Sequence, residues 1–315
     1  MPATITRRTA LTGAAALAAT PALSTAPMLG VDRPSHYRFK IGAFEVTTIL
    51  DGAVQLPGPH PVFGGNATAE EVQALAKANL LPPDQLEIPF TVTLVNTGNE
   101  LILLDTGNGE ITERRPNAGN LLARLGDAGY SPDQIDHVAI THFHPDHIGG
   151  LMEGGKPAFP NAKYVMAAAE YDFWSPASQA ESRVGKMVQA NVVPFAEKTT
   201  FIKPGDSVVS GIEAVDTSGH TPGHLAYHIE NNGARLMLTG DIANHYVIAL
   251  QRPDWHVKFD MDKEAAVVAR KKAFGMIAAD KIPFVGYHMP APAVGYVEAM
   301  GEGFRYIPAS YQLNF

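Results

Sequence analysis

The stretch THFHPDHIGG, Thr141 to Gly150, carries three histidines and an aspartate within six consecutive positions. His142 and His144 stand two apart at the end of a predicted strand, so an extended backbone presents both on one face. Pro145 ends that strand, Asp146 and His147 fall at the start of a predicted helix, and Gly149 and Gly150 permit close backbone approach. Imidazole and carboxylate groups converging from one turn are ligands for a divalent ion. Three more residues extend the set: His220 in SGHTPGH, Asp241 after LMLTG and His288 after IPFVGY, each behind a strand-like run and ahead of a turn or loop. Seven such groups exceed what one tetrahedral ion needs, so two ions sharing a carboxylate are expected. Two divalent ions about 3.5–4 Å apart would hold a hydroxide between them, deliver it as the nucleophile near neutral pH and polarise the attacked carbonyl or phosphoryl oxygen. That chemistry is hydrolysis without a serine or cysteine nucleophile.

These groups need elements that bring them to one rim. YRFKIGAFEVTTILDG alternates apolar and polar residues and reads as a half-buried strand opening the domain. QLPGPHPVFGGNAT, rich in Pro and Gly, reads as a flap or crossover, and TAEEVQALAKANLL as a short helix with Thr68 as cap and Glu71 completing a capping box. Two segments look alike: FTVTLVNTGNELILLDTG and HLAYHIENNGARLMLTGD each run strand, tight turn, strand, with Asp105 or Asp241 at the exit. The first precedes a helix (NLLARLGDAG) and the strand HVAIT that leads into the histidines. The second precedes the helix DKEAAVVARKKAFGMIAAD and the strand KIPFVGY that leads into His288. The pseudo-repeat predicts a mixed α/β fold of two sheets face to face with helices outside, a four-layer αββα sandwich. A doubly wound parallel sheet is disfavoured, because hairpins of this length are poor material for it.

With 315 residues, 45% hydrophobic and 18% charged, the chain can bury a substantial core. Its formal net charge of −8 opposes a phosphate-backbone partner, so no nucleic acid is expected. Cysteine is absent, which leaves His and carboxylate as the metal ligands. Residues 1–27 have signal-peptide anatomy: Arg7-Arg8, the Ala-rich run Ala10 to Ala19, and no acidic residue before Asp32. The paired arginines resemble a twin-arginine signal, so the domain over 36–315, behind a linker over 28–35, is expected to be periplasmic or secreted. Thr12, Gly13, Thr20 and Pro21 leave too little continuous apolar length for a membrane anchor.

His142-x-His144-x-Asp146-His147 followed by His220, Asp241 and His288 resembles the metallo-β-lactamase superfamily over nearly the whole domain. LILLDTG, AFPNA, DFW, GHTPGH, RKKAF and GFRYIP resemble more narrowly the methyl parathion hydrolase branch, close to the acyl-homoserine-lactone lactonases. The resemblance implies that His142, His144 and His220 hold one ion, that Asp146, His147 and His288 hold the other, and that Asp241 bridges them. Asp146 and Asp241 would assist proton movement to the leaving group. Asp105 in the DTG turn matches a carboxylate that orients a ligand imidazole, and reads equally as a turn residue satisfying local N–H groups. His224 reads as structural. N and O ligands do not select among Zn, Mn, Fe and Co; zinc is the expected pair. The resemblance also implies a homodimer.

For substrate, the loop after the last ligand, HMPAPAVGY, lacks Lys and Arg, which disfavours an anion. Arg114 and Arg115 in TERRPNAG read as solvated charges or as a cation that reaches the site. Trp174 matches a substrate-pocket aromatic of the parathion branch, and a small neutral ester or lactone fits such a wall. Missing phenylalanines in GNGEITERRPNAG and ESRVGKMVQAN weaken the case for an aromatic organophosphate. Asn244 stands where the lactonases have a catalytic-site Tyr, and reads as a hydrogen-bonding partner of the lactone or as a residue satisfying its own loop. The expectation is a dinuclear hydrolase of lactones or aryl esters, with promiscuous phosphotriester cleavage. A periplasmic β-lactamase is the enzymatic rival, and a non-catalytic metal-binding protein of the same fold the other.

Overall fold

The opening alternating run folds as a hairpin, β1 (His36–Ile41) and β2 (Phe44–Leu56), where the pattern alone suggested one strand. The turn hides at Gly42, at φ +57, where a Cβ would stand 2.3 Å from the carbonyl oxygen of Asn231, so only glycine fits. The computed structural model describes residues 26, 28, 33–114 and 116–309. All but Ala26 of the expected signal lies outside the described residues, as do half of the linker, residues 29–32, and Arg115.

In chain order there follow β3 (Leu86–Asn96), β4 (Leu101–Leu104), β5 (His137–Ala139), a small ribbon of β6 (Met152–Glu153) and β7 (Lys156–Pro157), β8 (Lys163–Ala167) and β9 (Thr199–Ile202). All but the ribbon form one sheet in the order β1-β2-β3-β4-β5-β8-β9, antiparallel as far as β4 and parallel beyond it. The second sheet takes β10 (Ser207–Val209), β11 (Ile212–Asp216), β12 (Leu225–Asn231), β13 (Ala234–Leu238), β14 (Phe284–Val285), β15 (Val294–Met300) and β16 (Gly303–Pro308) in sequence order, with β13 and β14 parallel. One apolar cluster draws Ile49, Val92, Leu103 and Val138 from the first sheet and Ala226, Ile229, Leu236 and Phe284 from the second.

The helices are α1 (Ala69–Ala78), α2 (Leu121–Asp127), α3 (Pro145–Ile148), α4 (Ala168–Trp174), α5 (Arg183–Asn191), α6 (Ile248–Gln251) and α7 (Lys263–Asp280). The capping box of Thr68 and Glu71 starts α1 as the sequence indicates. Helix α2 packs on β2, and α7 on β15, so helices cover each sheet and the architecture is the αββα sandwich. The sheets are tied where the site will form. Leu225 N donates to Thr141 O at 2.9 Å, and the Tyr227 hydroxyl donates to Ile140 O at 2.8 Å, which fixes the exit of β5 against the start of β12. Among the described residues no helix is long and apolar enough to cross a membrane.

Candidate metal centre

Chain ends of both sheets deliver the seven residues to one place. His142 and His144 follow β5, Asp146 and His147 lie in the one-turn helix α3 that Pro145 starts, His220 follows β11, Asp241 follows β13 and His288 follows β14. His144 Nδ1 lies 3.0 Å from His142 Nε2 and 2.9 Å from His220 Nε2, while Asp241 Oδ2 stands 3.3 Å from His220 Nε2. On the other side, Asp241 Oδ1 is 3.2 Å from His147 Nε2, Oδ2 is 3.0 Å from His288 Nε2, and Asp146 Oδ2 lies 3.6 and 3.7 Å from those two nitrogens. Two four-residue sets result, His142-His144-His220-Asp241 and Asp146-His147-Asp241-His288, and each keeps its donor atoms within 4.8 Å of one another. Asp241 belongs to both.

A test of whether an ion fits comes from atoms left without partners. His147 Nε2 and Asp241 Oδ1 are buried, and although they face each other they make no hydrogen bond. Buried polar atoms without partners are costly, so a pair aimed at one point fits a cation there. Four of the five imidazoles also turn their outward nitrogen to a fixed partner. His142 Nδ1 meets Thr141 Oγ1 at 3.0 Å, His147 Nδ1 meets Asp105 Oδ2 at 2.8 Å, His220 Nδ1 meets Asp260 Oδ1 at 2.8 Å, and His288 Nδ1 meets Pro89 O at 2.8 Å. The carboxylate and carbonyl partners place the proton on Nδ1 of His147, His220 and His288, and Thr141 Oγ1, whose own hydrogen goes to Asp105, is free to accept from His142, which leaves the Nε2 lone pairs for the cluster, as ligand histidines require.

Asp105 therefore faces a cluster imidazole and also satisfies its turn: Oδ1 accepts from Thr141 N at 2.8 Å, and the residue adopts φ +66, uncommon outside Gly, Asn and Asp. His224 is structural, as read: its Nε2 accepts from Asp241 N at 3.0 Å and its ring nitrogen Nδ1 lies 2.8 Å from Thr217 Oγ1. Asn244 turns its amide inward, donating from Nδ2 to Asp241 Oδ2 at 2.9 Å, and its buried Oδ1 has no hydrogen-bond partner. Trp174 is only 5% exposed and donates from its indole to Glu170 Oε1 at 3.0 Å. Glu170, absent from the sequence-based candidates, accepts there and from Phe143 N at 2.9 Å and Gly223 N at 2.8 Å, so one buried carboxylate braces both histidine turns. Asp260 was also missed. Its pair with the fully buried Arg270, at 2.8 Å, holds it beneath His220, and the one legible signal is a charge on the apolar stripe Ala266, Arg270, Ala273, Phe274, Ile277 of α7.

Arg114 reaches the centre. Its Nη1 lies 3.5 Å from Asp146 Oδ1, so of the two readings of this residue the structure favours the cation that reaches the site, although the loop after His288 brings none. Beyond His288 opens a cavity of about 450 Å³, walled by Leu50, Pro59, Leu86, Pro89, His245 and Ile248.

Burial pushes His142 well below the usual imidazole range and His144 down to about 3, so both stay neutral at physiological pH. Burial works against a charge on His220 as well, but Asp241 and Asp260 outweigh it and lift that group to about 9. Asp241 and Asp105 likewise raise His147 well above its ordinary value against burial. Protein freed of metal by chelation thus carries protons on His220 and His147 at pH 7, and an ion must displace them. Metal affinity is expected to climb with pH until about 9, with proton release during uptake at pH 7, visible as a buffer-dependent heat in calorimetry. A heat independent of buffer, with affinity flat between pH 6 and 8, would contradict the assignment.

The family model of the metallo-beta-lactamase superfamily matches residues 90–280. A Bacillus sp. N-acyl homoserine lactonase is 26% identical over 182 residues, 52% of this chain and 68% of that protein. A probable metallo-hydrolase of Mycobacterium tuberculosis is 27% identical over 49% of this chain and 56% of its own length. Among solved structures, AidC, a dizinc quorum-quenching lactonase with its product N-hexanoyl-L-homoserine, superposes with TM-score 0.80 at 27% identity over 89% of this chain and 99% of that one. The hydrolase AbOPH of the beta lactamase superfamily gives 0.82 at 26% identity over 90% and 100%. A match spanning more than half the chain, and taking in all of the two donor sets that share one aspartate except His288, shows that this chain belongs to the metallo-beta-lactamase superfamily, among its metal-dependent hydrolases.

Proposed function

We infer that the protein opens lactone rings with two divalent ions, most suitably zinc, held by the two sets that share Asp241. The carrying observation is that sharing: seven His and Asp groups with one common carboxylate suit a two-ion site, and N and O donors suit zinc. When bound, the ions supply an acidified water and polarise the attacked carbonyl. The chain's own residues do the rest. Asn244 holds Asp241 Oδ2 in place, and the fixed imidazoles keep both sets in geometry. Water adds to the carbonyl carbon, the acyl–oxygen bond breaks, and the water's proton passes to the ring oxygen. That transfer is assigned to Asp146, which is 8% exposed where Asp241 is 3%. The cavity beyond His288, mostly apolar in its walls, suits the organic part of a neutral lactone or aryl ester. Relatives named as lactonases, and a dizinc lactonase of similar fold, support the lactone over the ester. Phosphotriester cleavage belongs to the same proposal as a side activity.

Chelated and metal-reconstituted protein, assayed on acyl-homoserine lactones, dihydrocoumarin, aryl esters, phosphotriesters and nitrocefin, is the test. Turnover should vanish on chelation, return with about two ions per chain, and be fastest on a lactone. Undiminished turnover after chelation, or nitrocefin cleaved as fast as lactones, overturns the reading. Tight metal binding with no turnover on any class does so too.

A further inference from the structure

The cation beside Asp146 is placed by a chain of contacts that begins in β2. Asp51 is fully buried, and its Oδ2 accepts from Asn108 N at 3.0 Å, Asn108 Nδ2 at 2.8 Å and Gly119 N at 3.0 Å, while Oδ1 accepts from Leu121 N at 2.9 Å. One carboxylate thus clamps both ends of the loop between β4 and α2. Gly107 permits the clamp, because a Cβ there would come within 2.7 Å of the Asp51 carboxyl carbon. With its Nδ2 committed to Asp51, the Asn108 amide must present Oδ1 the other way, and it accepts there from Arg114 Nη1.

Three constraints then fix the guanidinium. Nη1 is held by Asn108 and faces Asp146 Oδ1, and the planar group lies over the Phe90 ring with its carbon 5.1 Å from the centroid. Phe90 in turn packs edge-on against His288, with ring centroids 5.6 Å apart. Arg114 therefore belongs to the wall of the Asp146-His147-Asp241-His288 side. Among the described residues only Nη1 is engaged, so Nη2 and Nε keep their donors, and the side chain remains 21% exposed.

A two-armed cation with one arm tied to a candidate ligand and the other open is suited to bind a second carboxylate. We propose that Arg114 is the anion-recognition residue of the centre, its open arm receiving the carboxylate of the ring-opened acid. The inference rests on the lactone reading for the ligand's identity. Opening a neutral lactone turns an uncharged group into a carboxylate, and a guanidinium already held in place beside Asp146 can pair with it alongside any bound ions without being ordered anew at each turnover. The acid should consequently bind more tightly than an uncharged analogue of the same shape, and act as a product inhibitor.

The test is calorimetric binding, on metal-loaded protein, of N-hexanoyl-homoserine and of the same compound with an alcohol in place of the carboxylate. Losing a charge-assisted contact of this kind costs about a tenfold or greater drop in affinity. Arg114→Met should weaken the acid by roughly that factor while the alcohol changes less than about twofold, with metal content held at the parent's value. Arg114→Lys keeps the charge facing Asp146 but not the fork, and should fall between, which covers a Met variant that loses metal or fold. Acid affinity equal in the parent and both variants overturns the proposal, as does no measurable acid binding to the parent, or parallel weakening of acid and alcohol. Because binding is read without turnover, a protein that opens no lactone yet binds the acid through Arg114 sinks only the lactone reading. Turnover of lactones with acid binding indifferent to Arg114 sinks only this one.

Discussion

Asp241→Ala will empty both halves of the centre together and lower hydrolysis by on the order of a thousandfold or more, since the several kcal/mol of charge stabilisation that bound ions would supply go with them. The expectation follows from the geometry of one carboxylate. Oδ1 faces His147 Nε2 at 3.2 Å, and Oδ2 faces His220 at 3.3 Å and His288 at 3.0 Å, so no other side chain of the seven belongs to both sets. Removing His142 should instead strip one set and leave the other four-membered, with about one ion per chain remaining. Burial alone would raise the Asp241 carboxyl, but His288 and His147 hold it well below the usual carboxylate range, so it is available as an anion throughout the working pH range. Elemental analysis of metal per chain, taken on the sample used for turnover, checks the difference. If Asp241→Ala retained two ions and His142→Ala retained none, the bridging assignment would be wrong.

The donor set was legible because four of its members sit on one strand, turn and helix, and local geometry forces them together. His220, Asp241 and His288 were legible from their place at strand exits, where a sandwich collects its loops at one rim. Orientation was not legible. Position suggests a substrate contact for Trp174, and for Asn244 either that or a residue satisfying its own loop; the indole points at Glu170 and the amide at Asp241, partners that lie four and three residues away but on side-chain directions a pattern does not encode. Arg114 shows the same limit across greater distance. Whether it is a solvated charge or a wall of the site depends on Asp51, more than sixty residues earlier, clamping the loop. The hairpin at Gly42 was missed because alternation runs unbroken through a tight two-residue turn, and only the approach of Asn231 from the other sheet makes glycine necessary.

Arg270→Leu should be the most destabilising single change outside the ligands, by roughly 3–5 kcal/mol, because it strands a buried carboxylate. Arg270 is fully buried on α7 and donates to Asp260 Oδ2 at 2.8 Å, to Ile242 O at 2.6 Å and to Pro253 O at 3.2 Å, so its loss leaves one anion and several carbonyls unpaired. Burial pushes the Asp260 carboxyl upward, while His220 and Arg270 more than offset this and keep it below its ordinary value. Without Arg270 that balance shifts toward a protonated Asp260, which can no longer accept from His220 Nδ1 as an anion. A melting temperature lower by on the order of 10 °C is expected, and so is metal affinity weaker by about 10–100-fold, as when a partner behind a ligand imidazole is lost. The two effects separate in the double variant Arg270→Leu with Asp260→Leu. Removing both charges eliminates the stranded anion and should restore part of the melting temperature. It leaves His220 Nδ1 with no acceptor at that position, so metal affinity should remain low. A double variant that recovered both quantities would show that Asp260 acts only through the stability of the fold, and recovery of neither would show that the Asp260–Arg270 pair is not the source of the loss.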